Sequence, residues 1–422
     1  MKEQSAWYLE RWRSLDAWLH QYAGLWQSVP FYTPEPKWGE LYPSLRHALL
    51  KLSDQEYEAL AQDDDASQGW LSQWLPDLSI RSELLSGLNT HHNSDKADTC
   101  TLSEAQAPHM PERKRLQAGK LTHHLQPFEQ SMTDWCSGMG HLARTLAANG
   151  EQPVIGLEWN AELVKRGQTL IEASNRVNPS VKPSRVTLAQ QDVMQLQGNS
   201  ESWPKTPHIV ALHACGDLHR HLLKEAVKAH QARISLAPCC FHLSHQNHWQ
   251  PLAKATQRSA LRGLSTELMR LAVQETVTAT SRVSRQRETL NCWRLGYEAL
   301  RQSLTQDSDY RPLASCSVKQ LALGFSNFCL WAASQHQCSL PKDVNWDKWL
   351  VKGQQRHDQV KRDELLRHQF RRPLEVWLVL DYVIFLQESG YQVELTTFCE
   401  RHLSPRNLLI DAKAQQRLPF SS

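Results

Sequence analysis

The sequence lacks the long apolar segments of a membrane protein. Among its 422 residues no apolar run approaches the roughly 20 residues that cross a bilayer, and the opening stretch MKEQSAWYLERW has no apolar signal core. We therefore expect neither a membrane partner nor an export signal. The ten cysteines contain no repeated CxxC spacing, which favours reduced thiols over a disulfide framework. The predicted location is cytoplasmic.

The sequence also has little net charge. Its 47 Lys and Arg residues stand against 44 Asp and Glu residues, for a formal net charge of +3, so a polyanionic partner would have to bind local basic patches. Three such stretches occupy residues 113–115, 254–287 and 352–372. They predict a path for the phosphate backbone of RNA, with solvated helix faces as the alternative. The oligomeric state does not follow from the sequence.

Tryptophan, in contrast, is abundant near the start of the chain, where 7 of the 16 tryptophans lie in the first 74 residues. The helical spacing of Leu9, Trp12 and Leu15 predicts an all-α N-terminal domain over residues 1–87, with the tryptophans in its core. A surface that stacks nucleic acid bases is the alternative. Residues 88–110 lack hydrophobic periodicity and predict a flexible linker.

Short apolar strands alternate with helices between residues 111 and 250. The five predicted strands are MTDW, QPVIGLEW, SRVTLAQQDV, PHIVALHACG and ARISLAPCCF. This alternation predicts βαβ units and a parallel sheet, and hence the α/β class. Residues 251–422 are a mixed and basic segment that ends with an apolar helix and one or two strands. We expect this last part to complete the same domain.

The stretch DWCSGMGHL, residues 134–142, places two glycines between the first strand and its helix, where open α/β sheets bind ligands. Glu158, 18 positions after Gly140, ends the second strand and is placed to accept hydrogen bonds from ribose hydroxyls. Asp192 follows the third strand, near the expected adenine. A dinucleotide-binding turn would need a third glycine where the diphosphate binds, and no third glycine follows Gly140. The pattern predicts S-adenosylmethionine, with a turn that binds no ligand as the alternative.

Four motifs carry a family resemblance: the glycine turn and three further segments. They are DWCSGMGHL, LHACGDL, PCCFHL and LSPRN, at residues 134–142, 212–218, 238–243 and 403–407. They resemble the methyltransferase-like proteins typified by the ribosomal RNA adenine dimethylase domain-containing family, over about residues 112–250 and 373–411. Met139 stands where that family usually has lysine, and Phe241 where it usually has tyrosine. The two strand ends HACGD and PCCFH are also similar to tRNA 2′-O-methyltransferases of the acceptor-stem type.

The resemblance implies a Rossmann-like class I methyltransferase fold, with a parallel-rich seven-stranded sheet, helices on both faces and the N-terminal all-α domain beside it. It implies S-adenosylmethionine as the cofactor. The predicted cofactor-binding residues are Asp134, Cys136, Ser137, Gly138, Gly140, His141, Leu142, Glu158, Trp159, Asp192, Val193 and His213.

The ends of the fourth and fifth strands hold the candidate catalytic residues His213, Asp217, Cys240 and His242. His213 is a candidate proton acceptor, or else a buried histidine packed on the cofactor. For Asp217 the alternative to a catalytic role is to cap the helix that follows the fourth strand. Cys240 would act as a nucleophile only with a lowered thiol pKa, and otherwise packs beneath the substrate entrance. Because adjacent cysteines rarely bind one ion together, we predict no metal site, with zinc as the alternative.

We therefore predict an S-adenosylmethionine-dependent methyltransferase that acts on RNA, either rRNA or tRNA. Its reaction would be an in-line methyl transfer to a nucleophile held at the ends of the fourth and fifth strands. The fourth strand lacks the D/N-P-P-Y/F motif of enzymes that methylate exocyclic amines, so that motif does not support an amine target. The alternatives are a protein methyltransferase, or a sensor or assembly factor that binds the cofactor without turnover.

Overall fold

The computed structural model describes residues 2–90, 100–177, 185–274, 281–305 and 307–415. The chain forms two compact units. We call the first, made of Met1–His20, Leu84–Thr278 and Arg372–Ser422, the sheet unit. The second, made of Gln21–Glu83 and Ala279–Arg371, is the helical unit. These units differ from the predicted segments 1–87, 88–110, 111–250 and 251–422, because the helical unit joins two stretches that lie far apart along the chain.

The described part of the sheet unit contains an eight-stranded sheet. Its strands are β1 (Asn89–Thr90), β2 (Met132–Trp135), β3 (Val154–Glu158), β4 (Val186–Gln190), β5 (His208–Cys215), β6 (Arg233–Cys239), β7 (Tyr391–Thr397) and β8 (Leu408–Ala414). Their order is β1-β7-β8-β6-β5-β2-β3-β4, and β8 is antiparallel to both of its neighbours. The seven longer strands confirm the predicted Rossmann-like class I methyltransferase fold, and the two-residue β1 is an addition at one edge.

Helices of the sheet unit pack around this sheet. They are α1 (Lys2–Gln21), α8 (Glu112–Leu125), α9 (His141–Ala148), α10 (Ala161–Val177), α11 (Asp217–Lys228), α12 (Thr266–Met269) and α17 (Arg371–Glu388). The strand β5 begins with a continuous buried run, as expected of a central parallel strand covered on both faces. The chain runs outward from β2 to β4 and then returns to β5. This reversal opens the ligand crevice at the carboxyl ends of β2 and β5.

The helical unit buries its own apolar core. Its helices are α2 (Ala23–Trp26), α3 (Trp38–Leu41), α4 (Pro43–Lys51), α5 (Asp54–Gln62), α6 (Asp64–Leu71), α7 (Ile80–Leu85, which leads into the sheet unit), α13 (Ser281–Thr305), α14 (Val318–Leu321), α15 (Phe325–Gln335) and α16 (Trp346–His368). The core contains Tyr297, Phe328 and Trp349. A side chain at Gly353 would collide with the backbone of α13, so this glycine permits the close approach of α13 and α16.

The early tryptophans lie inside the protein. Trp12, Trp18, Trp26 and Trp38 are buried, and the remaining three of the first seven are half-buried. In the sheet unit, Trp12 stacks on Trp377 with ring centroids 6.1 Å apart. Burial is confirmed for these four indoles, and rings enclosed in this way cannot stack on nucleic acid bases, but Trp12 and Trp18 lie in the sheet unit and not in a separate N-terminal helical domain.

Part of the predicted linker is packed structure. Leu102, Ala107 and Met110 are buried in the core of the sheet unit, so the prediction of flexibility is wrong for residues 100–110. These apolar anchors are few and unevenly spaced among polar residues, and periodicity therefore gave no signal. Residues 91–99 of the same segment lie outside the described residues. None of the described helices has the length and apolar character needed to cross a bilayer.

The Asp381 carboxylate anchors the segment after β6 to α17. It is fully buried and accepts hydrogen bonds from the amides of Leu252 and Ala253 and from the Thr256 hydroxyl, the last at 2.6 Å.

Replacing Asp381 by alanine would leave these donors buried without partners. We expect Asp381→Ala to lower the free energy of unfolding by about 3 kcal/mol in urea titrations. The exposed Glu129→Ala control should change it by less than about 0.5 kcal/mol, and an equally small loss for Asp381→Ala would contradict this role.

Candidate functional site

The turn between β2 and α9 has an unusual backbone. Cys136, Gly138 and Gly140 all have positive φ, at 62°, 59° and 73°. Glycine adopts this conformation without strain, whereas Cys136 pays roughly 1 kcal/mol or more. No atom lies within 4 Å of the position that a Cβ would take at Gly138, while a Cβ at Gly140 would press on Leu188. The turn therefore presents bare backbone at Gly138 and close packing at Gly140.

Two buried carboxyl groups hold this turn. Asp134 Oδ2 accepts hydrogen bonds from Ser137 Oγ at 2.7 Å and from the Ala143 amide at 3.1 Å. Glu158 Oε2 accepts the Gly138 amide at 3.0 Å, which joins the end of β3 to the turn. Burial raises the pKa of Asp134 to about 7, and the negative charge of Glu158 adds to that increase, although the two hydrogen bonds oppose it.

A cavity of about 300 Å³ opens above the turn, at the carboxyl ends of β2 and β5. The predicted cofactor residues that line it are Asp134, Cys136, Ser137, Gly138, His141, Leu142 and His213. The structure thus brings most of the predicted set together around one space. Burial and nearby carboxylates raise the pKa of the Cys136 thiol, so this sulfur remains protonated. Burial lowers the pKa of His141 to about 4.

Five predicted cofactor residues do not line the cavity. Gly140 lies beneath it as the first residue before α9, and Glu158 reaches the turn from β3. Trp159 is 70% exposed. Asp192 is exposed and caps a short 3-10 turn by accepting the Met194 amide at 3.0 Å, while Val193 is buried. The cofactor roles of these last three residues stay predictions.

Sequence reasoning missed one wall of the cavity. That wall consists of His109, Met110, Pro111, Lys114, Gln117 and Ala118, from α8 and the segment before it. The interpretation of residues 88–110 as linker concealed part of this wall. The only local signal was the basic run Arg113–Lys114–Arg115, which carries no cofactor motif.

Gln117 defines the protonation of His213. The Gln117 side-chain nitrogen donates to the Leu403 carbonyl at 2.5 Å, so its oxygen must face His213 Nε2, at 3.1 Å. A carbonyl oxygen only accepts, and His213 therefore carries its proton on Nε2 and a lone pair on Nδ1. Although solvent reaches the ring through the cavity, surrounding protein atoms lower the pKa of His213 to about 4, and the charges of Lys114 and Arg406 contribute. Neutral His213 is a hydrogen-bond acceptor and a weak base.

The other predicted catalytic residues lie around the ends of β5 and β6. Asp217 begins α11, and its carboxylate accepts the His245 amide at 2.7 Å. It does not line the cavity, and Gly216 occupies the cap position. Asp217 therefore holds the loop after β6 and is not the helix cap, whereas its catalytic role stays a prediction. His242 is half-buried, and its Nδ1 is buried without a hydrogen-bond partner; burial lowers its pKa, as does the charge of Arg270.

Three thiols meet between these strand ends. The Sγ atoms of Cys215, Cys239 and Cys240 all lie within 4.8 Å of one another. Hydrogen bonds from Cys215 and Cys239 lower the pKa of Cys240, and the positive charge of Arg406 lowers it further. The sequence predicted that Cys240 would pack beneath the substrate entrance or act as a nucleophile; the contact with Cys215 was not foreseen.

S-adenosylmethionine fits the cavity on three observations. Bare backbone at Gly138 leaves room for a ligand. Asp134 lines the cavity and offers a carboxyl group to the cationic methionine portion. Glu158 does not itself line the cavity, but it is a buried carboxylate that accepts the Gly138 amide from the neighbouring strand, where a ribose-binding acid is expected. The residues that would hold the cofactor are therefore those of the turn, with Asp134 and Glu158 as its two acids.

Cofactor binding should depend on the protonation of Asp134. A cationic ligand favours the carboxylate, whereas the group without ligand has a pKa of about 7. Affinity should therefore rise by up to about tenfold for each pH unit between about pH 5.5 and 7, and level off above that range. Isothermal titration calorimetry across this range measures the effect. In Asp134→Asn the slope should vanish; a flat profile for the unmodified protein would contradict the proposed contact.

Glu158 provides a second test. Because a glutamine side chain would keep a hydrogen-bond acceptor for the turn but lose the charge, we expect Glu158→Gln to weaken S-adenosylmethionine binding about 10- to 100-fold. The matched control is Glu162→Gln, at an exposed position in the first turn of α10, which should bind normally. Equal affinity of the two variants in calorimetry, with unchanged circular dichroism, would remove Glu158 from the cofactor site.

Comparison with known proteins indicates which reaction the site performs. Residues 119–247 match a protein family described as a methyltransferase domain. No curated protein matches the chain. Among solved structures, the chain is similar to PH1948 of Pyrococcus horikoshii, a candidate RNA methyltransferase, with 16% identity, a TM-score of 0.22, and coverage of 37% of this chain and 72% of that one.

Two other solved structures show the same level of similarity. YcgJ of Bacillus subtilis has 14% identity and a TM-score of 0.25, with coverage of 71% of this chain and 98% of that one. Coclaurine N-methyltransferase, bound to N-methylheliamine and S-adenosylhomocysteine, has 16% identity and a TM-score of 0.23, covering 55% and 62%. Similarity at this level does not define a substrate.

The matched methyltransferase domain contains the glycine turn, both buried acids and the ends of β5 and β6. The chain is an enzyme with a Rossmann-like class I fold, an S-adenosylmethionine-dependent methyltransferase.

Proposed function

We propose that the enzyme methylates RNA. The observation that carries this proposal is the group of cations around the carboxyl ends of β5 and β6. Lys114 lines the cavity together with His213. After burial, the charges of Lys114, Arg406 and Arg113 contribute to the lowered pKa of His213, and Arg270 contributes likewise for His242. A polyanion that approaches the cavity from this side would meet positive charge from several separate segments of the sheet unit.

The three predicted basic stretches contribute unequally. Arg113 and Lys114 are exposed, whereas Arg115 donates to the Leu102 carbonyl. In the stretch 254–287, the exposed cations of the sheet unit are Lys254, Arg258, Arg262 and Arg270, and residues 275–280 lie outside the described residues. These exposed side chains support a phosphate-binding surface.

The cations of the stretch 352–372 instead have partners within the protein, although Lys352 remains exposed. Arg362 is buried and donates to the Leu52 carbonyl and to Asp54, and Arg367 donates to the Trp26 carbonyl. The other cations of this stretch also have internal partners: Lys352 with Trp349, Arg356 with Pro30, Lys361 with Asp358, Arg371 with Asp64, and Arg372 with Glu375 and Asn407. We therefore withdraw this stretch from the predicted RNA surface.

The chain's own residues orient the substrate beside the cofactor. When bound, S-adenosylmethionine supplies an electrophilic methyl group. His213, neutral and with a free lone pair on Nδ1, is placed to accept a hydrogen bond from an N–H or O–H group of the target nucleotide. Its pKa of about 4 makes it a weak proton acceptor, so its contribution is alignment of the nucleophile for in-line transfer. The resemblances to the rRNA adenine dimethylase domain-containing family and to tRNA 2′-O-methyltransferases support an RNA substrate.

The substrate class is tested by methyl transfer from labelled S-adenosylmethionine to RNA and to protein extracts of cells that lack the enzyme. Labelled RNA with unlabelled protein is the expected result. Labelled protein alone would replace the proposal with a protein methyltransferase. Cofactor binding without turnover in either extract would favour a sensor or assembly factor.

Charge reversal tests the proposed surface. Because Arg113 and Arg270 are exposed, we expect the double variant Arg113→Glu/Arg270→Glu to bind RNA about tenfold more weakly near 0.1 M salt and to show a shallower dependence of affinity on salt. Cofactor affinity should not change. Lys165→Glu, an exposed substitution on α10 outside the basic stretches, is the matched control. Equal RNA affinity for the double variant and the control in filter binding would exclude these two arginines from the surface.

A further inference from the structure

Two β-strands place cysteines at the same level of the sheet. Cys215 is the last residue of β5 and Cys239 the last of β6, and the two are paired in register. Their Sγ atoms are 3.4 Å apart, and the Gly216 amide donates to the Cys239 carbonyl at 3.1 Å. Cys240 adds a third sulfur to this group, in which every Sγ lies within 4.8 Å of the others.

The backbone is distorted at the points that bring these sulfurs together. The pairing of β5 with β6 shifts register between Leu212 and Cys215, where His213 has a φ of +66°. Cys240 has a φ of +51°, and this left-handed residue directs the adjacent thiols of Cys239 and Cys240 toward one space. Left-handed conformations in non-glycine residues cost about 1 kcal/mol or more and concentrate at functional sites.

This geometry removes the reason for predicting no metal site. That prediction rested on the difficulty of binding one ion with two adjacent cysteines and on the predicted loop that holds the nearby histidines. A tetrahedral zinc site with Zn–S bonds of about 2.3 Å requires sulfurs about 3.8 Å apart. Here one Sγ–Sγ distance is 3.4 Å and none exceeds 4.8 Å, a range that includes that value.

Two further groups next to the thiols lack partners. His242 Nδ1 is buried without a hydrogen bond, and so is Arg406 Nη1. His242 stands two residues after Cys240 in the chain. Three thiolates and one Zn²⁺ leave a net charge of −1, which the Arg406 guanidinium would offset, while an unpartnered imidazole nitrogen is a suitable fourth zinc ligand.

We propose that Cys215, Cys239 and Cys240, whose sulfur atoms lie together, bind one zinc ion, and that the His242 side chain, which lies outside that cluster, turns to supply Nδ1 as the fourth ligand. The site ties the end of β5 to the end of β6 and to the loop that follows. Because a Cys3His set fills all four positions, this zinc has a structural role. It fixes the segment that carries His213 at the edge of the cofactor cavity. The proposal does not depend on the RNA substrate.

Metal content of the purified full-length protein gives the direct test. We expect inductively coupled plasma mass spectrometry to find about one zinc ion per chain, released as a mercurial reagent modifies the thiols. Cobalt(II) added to the zinc-free protein should produce thiolate-to-metal absorption in the near ultraviolet. Absence of zinc together with absence of cobalt absorption would overturn the proposal, as would a Cys215–Cys239 disulfide in freshly purified protein.

Variants assign the ligands. Cys215→Ser and Cys240→Ser should lose the zinc, whereas Cys399→Ser, at a buried thiol of the same unit, should retain it. His242→Ala should weaken zinc binding by more than the roughly 10- to 100-fold effect of a lost outer-shell partner. Zinc retained equally by all four variants would mean adventitious binding and would overturn the site. Calorimetry with S-adenosylmethionine identifies variants that have lost their fold, and the measurements on the unmodified protein do not depend on them.

Discussion

The carboxyl group of Asp134 holds the segment on which the whole site is built. It ties Ser137 and Ala143 together across the turn, and Glu158 secures Gly138 from the next strand. A turn with three left-handed residues would not persist without such contacts, because each strained position needs its surroundings to enforce it. Two acids buried close together repel one another, and this repulsion suits the site to a cationic ligand.

The site carries charges of both signs. The acids Asp134 and Glu158 stand at the ends of β2 and β3, where the sulfonium cofactor would be held. Lys114 lines the same cavity from α8, and the charge of Arg406 also acts on His213 at the end of β5. The surroundings of His213 keep it neutral, so it competes electrostatically with neither the cationic cofactor nor an anionic substrate.

Local motifs predicted those parts of the site whose geometry depends on residues close together in the sequence. Gly138, Gly140 and Glu158 belong to one β2–α9–β3 unit, and the structure places Glu158 against the Gly138 amide. Gln117 could not be found in this way, since it meets His213 across 96 positions of sequence. The left-handed backbone of Cys240 was equally hidden, because composition favours glycine and asparagine for that conformation. The arginines of 352–372 led to the opposite error, a predicted RNA-binding surface, because the sequence shows their charge but not their partners within the protein.

The helical unit is assembled from residues 21–83 and 279–371. During synthesis the first segment leaves the ribosome nearly 200 residues before the second, at a typical rate of about 5–20 residues per second. Helices α2 to α6 must therefore wait about 10–40 s for α13 and α16, with Trp26 lacking its final stacking partner Phe370. A nascent chain in that interval is a natural client for chaperones, and truncated products that end before residue 279 would share its exposed surface.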